Sequence, residues 1–323
     1  MAQALNLLVG VPRPFTASGV PAPDNIFLTE SSGFYITESG NLLEFNEAPA
    51  FAESPTGSSY TVVGADNMTL LRVPSGSYTQ GSPSSDTDRT NNEPYRDVTI
   101  SKDFYLGKYE VTQAQYEAVM TGNNLGLSAT PSSTTIGDDK PVTHVKRTDV
   151  DSFLSILNSI EQTAGRLPNG WVYDLPTEAE WEYVMRFMDG STYYKYINSV
   201  SSNDGSIYTG GANVDGSATL DVGSSTNDDA AFTYGTPTIA QNFYDMVGNV
   251  SEWVKDKYVN LNGYTTSVTD PYEAVPSSTT NPDMYKGGNY ANPSVLARTA
   301  LRKRTAANTK TNYIGFRLTL RQT

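Results

Sequence analysis

The reading of this chain turns on Phe243-Tyr244-Asp245-Met246-Val247-Gly248-Asn249-Val250-Ser251-Glu252-Trp253. Asp245 and Glu252 stand seven residues apart, with the backbone carbonyls of Gly248 and Val250 between them. Such hard oxygen donors suit Ca²⁺. The same string also reads as a metal-free turn that sends Met246 and Trp253 into a core. Either way it is a piece of scaffold, and what the scaffold carries has to be sought elsewhere in the chain.

Composition bounds the search. With 323 residues, the chain is long enough for a large domain and a small one, each with a core. A hydrophobic content of 37% with Gly 26, Pro 18 and Tyr 21 fits a loop-rich, β-leaning protein better than a helical bundle. The net charge of −13 disfavours nucleic acid and anionic membrane as partners, because phosphate neutralisation needs Lys and Arg clusters. Only Arg298 to Arg304 forms one. Cysteine is absent, which removes disulfides, thiolate nucleophiles and thiolate metal ligands. A single histidine, His144, excludes a multi-histidine metal centre. No run is long enough to span a membrane, and MAQALNLLVGVPRPF lacks the basic residue that opens a secretory signal. The expectation is a soluble protein made in a cytoplasm.

Residues 1–65 differ from the rest. Leu28-Thr29-Glu30-Ser31-Ser32-Gly33 is echoed by Ile36-Thr37-Glu38-Ser39-Gly40-Asn41, two strand-and-turn units that predict a small β module. Ala48 to Ser59 reads as its linker. From Asp66 onward, Thr112-x-x-Gln115 and Thr177-x-x-Glu180 are capping boxes. The first leads into Tyr116, Val119 and Met120, and the second into Trp181, Val184, Met185 and Met188 with Gly190 as a stop. Thr148 can cap a further helix with the stripe Val150, Phe153, Leu154, Leu157 and Ile160. Short helices among short irregular strands give an α+β class. Residues 191–241 are poor in apolar side chains, which marks them as functional or held by something other than a core.

Seven strings then fall in order: Val73-Pro74-Ser75-Gly76-Ser77-Tyr78-Thr79-Gln80-Gly81-Ser82, Tyr109-Glu110-Val111-Thr112-Gln113-Ala114-Gln115-Tyr116, Pro141-Val142-Thr143-His144-Val145, Leu175-Pro176-Thr177-Glu178-Ala179-Glu180-Trp181-Glu182-Tyr183, the stretch 243–253, Gly287-Gly288-Asn289 and Ile314-Gly315-Phe316-Arg317-Leu318. Together they resemble the formylglycine-generating-enzyme (sulfatase-modifying factor) family. The resemblance implies an irregular C-type lectin-like fold over residues 66–323, preceded by the β module of 1–65. Ser251 departs from the Trp usual in the family, which puts the packing beside Trp253 in question.

In the oxidase members of the family, the segment after the Gly-Gly pair carries two cysteines that bind copper and react with substrate. Here it reads Asn289-Tyr290-Ala291-Asn292-Pro293-Ser294-Val295-Leu296-Ala297-Arg298, with neither thiol. The iron-dependent relatives need histidines on an added helical domain, and this chain has neither. Copper and iron are therefore not expected, nor is an enzyme. The resemblance then points to the binding branch, the variable proteins of diversity-generating retroelements. In these the variable region opens at the Gly-Gly pair and closes near Gly-Phe-Arg, here about 287–317.

Randomising an AAC-type Asn codon at its first two bases never yields Gln, Glu, Met or Trp, and none of these occurs between Asn289 and Tyr313. Lys303 and Lys310 do not fit that code. Tyr290, Asn292, Ser294 and Leu296 alternate, so an extended chain projects them to one face. With Leu301, Lys303, Thr305, Asn308, Thr309, Thr311 and Tyr313 they make the expected ligand-binding face. Its Tyr, Ser, Thr and Asn content is the mixture antibody paratopes use. Arg298, Ala300 and Arg302 match an Arg-x-Ala-x-Arg scaffold and are expected to hold the fold.

The resemblance also carries Ca²⁺ to Asp245, Gly248, Val250 and Glu252 as a structural ion, and Asn213, Val214 and Asp215 are candidates for a second site. His144 and the carboxylates Glu178, Glu180 and Glu182 are weighed as catalytic groups and set aside in favour of structural roles. Arg298, Arg302 and Arg304 as an anion site rank below scaffold pairing. The expected function is non-enzymatic binding of a host-surface protein or glycan, with no nucleic acid and no membrane insertion. The location is a phage tail or cell surface, with homotrimer or particle assembly through the amino-terminal module. The alternatives are an enzyme with a rebuilt site on the same fold and a structural particle protein with a fixed partner.

Overall fold

The computed structural model describes strands within residues 26–44 and then residues 52–186, 193, 195, 212–224, 243–261, 263–274, 282–306 and 308–323. The chain divides into two compact units, 1–50 and 51–323. In the first, β1 (Ile26–Leu28), β2 (Phe34–Thr37) and β3 (Leu42–Glu44) form an antiparallel sheet in that order. The two echoed segments thus contribute to successive strands of one small meander.

The second unit runs β4 (Ser59–Val62), β5 (Met68–Val73), β6 (Gly76–Gly81), β7 (Tyr95–Ile100), β8 (Phe104–Gly107), α1 (Gln113–Met120), α2 (Arg147–Thr163), β9 (Trp171–Asp174), α3 (Glu178–Met185), β10 (Ser251–Lys257), β11 (Val268–Thr269), β12 (Asp283–Lys286), β13 (Lys303–Thr305), β14 (Ile314–Gly315) and β15 (Thr319–Gln322). Three sheets result, with strand orders β4-β5-β8-β15-β9, β11-β7-β6 and β13-β12-β10-β14. Pairing is antiparallel except for β10 with β14 and β11 with β7. This is the α+β arrangement the sequence predicts. Residues 59–65, which the sequence groups with the amino-terminal module, belong to the larger unit. Val62 and Ala65 are fully buried in its core, and β4 pairs with β5 along its length.

The helix starts follow from local chemistry. Thr112 and Thr177 each accept from the N–H three residues on, and Gln115 and Glu180 each accept from the cap's own N–H. The cap of α2 is Lys146 instead of Thr148: Asp149 accepts from the Lys146 N–H at 3.2 Å, so the helix starts one residue before the expected threonine. Its stripe of Val150, Phe153, Leu154 and Leu157 is buried, with Ile160 packed at the margin. α3 ends in a cap at Arg186, and the expected Met188 and Gly190 lie outside the described residues.

Two cores form. One sits between α1, α2 and the five-stranded sheet, where Tyr116 stacks on Phe153 at 5.2 Å and Phe316 meets both edge-on. The other gathers α3, β6 and β7 against Met246, Val254 and Met284. Burying each such large side chain contributes about 1.5–3 kcal/mol. The sheet β13-β12-β10-β14 separates them: Trp253 of β10 enters the first core and Val254 the second.

Candidate functional site

The stretch 243–253 is the hub of the larger unit. Trp253 is fully buried and its indole N–H donates to the Val145 carbonyl at 3.2 Å. Glu252 is also fully buried, accepting from Nη2 and Nε of Arg317 at 2.6 and 2.7 Å and from the Trp181 indole at 2.8 Å. Ser251 takes the place of a bulky ring with two hydrogen bonds. Its hydroxyl donates to the Gly288 carbonyl at 2.9 Å and accepts from the Asn289 amide at 3.1 Å. The stretch is thereby tied to the Gly-Gly turn that opens the carboxyl-terminal segment. That turn needs glycine: Gly287 and Gly288 have φ of 93° and 73°, and a Cβ on Gly288 would stand 2.9 Å from that of Ala297.

Asp245 and Asn249 both adopt left-handed backbone conformations. Asp245 accepts from the Gly223 N–H at 2.5 Å. Beside them lies Glu110, which accepts from the Asn249 amide and the Val250 N–H at 3.1 and 3.2 Å. Burial, together with the charges of Asp245 and Glu252, pushes the Glu110 carboxyl well above its usual range. Among the described residues no three acidic or histidine side chains converge as a ready cage for a metal, so a cation at Asp245, Gly248, Val250 and Glu252 would lean on backbone carbonyls. Asn213 and Asp215 take a different part. The Asn213 carbonyl accepts from Asn249 N–H, and the Asp215 N–H donates to Asn292, so this short loop bridges the hub to the carboxyl-terminal segment.

The carboxylates on α3 are all engaged structurally. Glu178 holds Arg302 through two bonds of 2.7 and 2.9 Å, and Glu180 caps its helix and pairs with Arg321. Burial works against the charge of Glu182, but Lys286, Arg186 and the Gly81 N–H hold its carboxyl below the usual range. Behind them Asp256 is pushed up to about 7 by burial and by the charge of Glu178. His144 has a left-handed backbone; its N–H donates to Thr311 at 2.8 Å and its ring bonds Asn312 at 3.0 Å. It supports the carboxyl-terminal segment.

That segment sorts into two sets. Arg298 pairs with Glu93 and Asp86, Arg302 with Glu178, and Ala300 is 1% exposed, so the Arg-x-Ala-x-Arg row is scaffold. The other set lies along β13 and the chain leading to β14: Lys303, Thr305, Thr309 and Thr311 are half-buried and Asn308 and Tyr313 exposed. Tyr285, from β12, adjoins it. Two expectations change here. Leu301 is 7% exposed and packs inward, so it is not on the face. The alternation of Tyr290, Asn292, Ser294 and Leu296 does not occur either. The chain turns at Asn289–Asn292 and Ser294–Ala297 is a single 3-10 turn after Pro293, leaving Tyr290, Asn292 and Leu296 half-buried. Proline fixes the backbone at the turn's start, and Gly288 lies too close to Ala297 for an extended path. Tyr285 has no sequence signal beyond its position just before the Gly-Gly pair, whereas Ser251 stands out in the sequence only as a departure from the family's Trp.

Two cavities lie elsewhere. One of about 630 Å³ is a groove between α1 and α2 near Leu125 and Ile156. A smaller one of about 200 Å³ is lined by Glu180, Lys255 and Arg321, whose charges are paired with each other or with Asp174.

Comparison with known proteins adds the following. The model of the Sulfatase-modifying factor enzyme 1-like domain (FGE-sulfatase) matches residues 60–322. A curated relative, the chaperone protein LppX of Paenibacillus barcinonensis, is 28% identical over 210 residues, which is 51% of this chain and 66% of that protein. The chain therefore spans just under two thirds of that relative's length. Among solved structures, PvdO from Pseudomonas aeruginosa superposes with a TM-score of 0.61 at 22% identity, covering 83% of this chain and 99% of that one. Treponema denticola variable protein 1 gives 0.57 at 19%, covering 82% and 99%, and CarF gives 0.51 at 19%, covering 79% and 98%. At these identities the superpositions speak for the fold alone.

Proposed function

The chain belongs to the Sulfatase-modifying factor enzyme 1-like family, and from that membership we propose that it is a non-enzymatic ligand-binding member, diversified by a retroelement. One observation carries the proposal: the segment after the Gly-Gly pair has no cysteine, Arg298, Arg302, Arg317 and Arg321 are paired with Glu93, Glu178, Glu252 and Glu180, and Glu182 is paired with Arg186 and Lys286. Towards the surface the segment offers Lys303, Arg304, Thr305, Asn308, Thr309, Thr311 and Tyr313. Rigid tyrosine with adaptable amide and hydroxyl groups is a binding mixture. The likeness in fold to a protein titled a variable protein, and in sequence to one named a chaperone, supports a binding role over a catalytic one. The ligand is a host-surface protein or glycan, the location a phage tail or cell surface, and the amino-terminal meander the point of trimer or particle assembly. No described helix is long and apolar enough to cross a membrane. The test is the flanking DNA: a near-copy of the last hundred or so bases differing mainly at adenines, beside a reverse transcriptase gene, is expected. Its absence, together with invariance of residues 289–313 across isolates, would leave the fixed-partner reading in its place.

We also propose a structural Ca²⁺ in the hub. The charges of Asp245 and Glu252 act together on the buried Glu110 carboxyl, with Arg317 opposing them. A hard cation at Asp245 and the carbonyls of Gly248 and Val250 would relieve that repulsion, with Glu252 shared between it and Arg317. At 100 times its Kd the ion adds about 2.7 kcal/mol of stability. Thermal melts with Ca²⁺ against chelator should show the gain, and Asp245→Asn should abolish it; equal melts in both would show that a proton on Glu110 suffices.

A further inference from the structure

Residues 287–323 contain seven Lys and Arg and no Asp or Glu, in a chain of net charge −13. Five of the seven have acidic partners: Arg298 on Glu93, Arg302 on Glu178, Arg317 on Glu252, Arg321 on Glu180 and Lys310 on Asp149. The remaining two, Lys303 and Arg304, have none among the described residues, and they are adjacent on β13. That strand is the end member of its sheet, and no other described segment bonds its backbone apart from β12. The register pairs Lys303 with Tyr285 and Arg304 with Met284, so the two cations leave opposite faces of the strand. Arg304 stands with its guanidinium 4.7 Å from the centre of the Tyr258 ring, whose hydroxyl accepts from the Asn92 amide and which Arg302 also approaches, at 5.1 Å. Stacking on a ring leaves the planar fork of an arginine free to hold a carboxylate.

We infer that β13 is a docking edge for an acidic peptide segment of a partner protein, which adds to the sheet as a further strand and sets neighbouring carboxylates against Lys303 on one face and Arg304 on the other. The inference rests on the reading of this segment as a binding surface and names the chemistry it takes. A strand alongside β13 alternates its side chains between the same two faces, so adjacent Asp and Glu residues meet both cations at once. A lone anion or a saccharide approaching one face meets one of them. A charged edge strand also protects a sheet against pairing with its own copies, and the two roles separate experimentally.

The probe is a short soluble peptide of threonines and valines with a central Glu-Asp pair, its binding to the full chain followed by fluorescence anisotropy at 0.15 M salt. Its comparators are the same peptide N-methylated at alternate central residues, a Lys-Lys counterpart, and hyaluronan fragments as an acidic saccharide. The acidic peptide is expected to bind and the Lys-Lys peptide not. N-methylation, Lys303→Gln and Arg304→Gln are each expected to weaken binding roughly tenfold, the cost of losing a charge-assisted or backbone hydrogen bond. Equal binding of the N-methylated peptide or of hyaluronan overturns strand addition. No binding of the acidic peptide, or variants that aggregate without losing affinity, overturns the docking role and leaves edge protection. A ligand whose binding is lost on Tyr313→Ser but untouched by Lys303→Gln and Arg304→Gln overturns this inference while leaving the binding-face reading intact.

Discussion

Arg302 and Arg304 stand two residues apart, yet Arg302 is 3% exposed and gives its guanidinium to Glu178 and to the carbonyls of Asn92 and Val259, while Arg304 is exposed and, among the described residues, lies against the ring of Tyr258. The contrast runs through the whole carboxyl-terminal segment. Arg298, Arg302 and Arg317 reach back to acidic residues far off in the chain, whereas Lys303 to Tyr313 contribute little to either core. Identical chemistry thus serves scaffold or surface according to what the fixed part of the chain places opposite it. A surface can be rewritten without unfolding only if the two sets do not overlap.

The largest expected effect comes from the scaffold set. Replacing Arg317 by Met leaves Glu252 buried without its cation, and breaking such a pair costs about 3–5 kcal/mol. Urea unfolding should show a loss of that size, and a loss under about 1 kcal/mol would break the division. Next comes pH. The carboxyl of Asp256 is raised to about 7 from an unfolded value near 4, so the native state holds a proton that the unfolded state releases in between. Its contribution is full below about pH 4 and is lost as pH rises through about 7, on the order of 4 kcal/mol. Asp256→Asn should flatten the fall in stability between pH 5 and pH 8; an unchanged slope assigns it to Glu110, which is displaced in the same direction. Thr177→Ala should cost about 1 kcal/mol through loss of the α3 cap. Tyr313→Ser and Asn308→Ala should each change stability by less than about 0.5 kcal/mol, and a larger change in either would show the face to be part of the fold.

The sequence was legible where short-range chemistry decides. The capping boxes at Thr112 and Thr177 need partners only three residues away, and the structure places both helices there. The scaffold arginines could be read from a shared pattern even though their partners, Glu93, Glu178 and Glu252, lie dozens to hundreds of residues distant. The start of α2 was missed because Asp149 outcompetes Thr148 by reaching back to Lys146, a contest that two adjacent cap-forming residues leave open. The extended path over residues 290–296 failed for a longer-range reason. Alternation assumes a strand, and Pro293 with the crowding of Gly288 against Ala297 turns the chain instead. Leu301 belongs to the same face in the sequence reading and packs inward at a turn, where its N–H donates to the Arg298 carbonyl at 3.1 Å.

β13 and β14, the strands that bound the exposed face, lie at opposite edges of one four-stranded sheet. The chain that joins them must cross three strand spacings, about 14 Å. Residues 306–313 could reach about 26 Å if fully extended, so the crossing has nearly twofold slack. Lengthening a slack loop is cheap, about 0.6 kcal/mol for each doubling. Insertion and deletion are therefore as open to this protein as substitution, and a foreign recognition peptide grafted between Asn308 and Thr309 should leave the frame that presents it undisturbed.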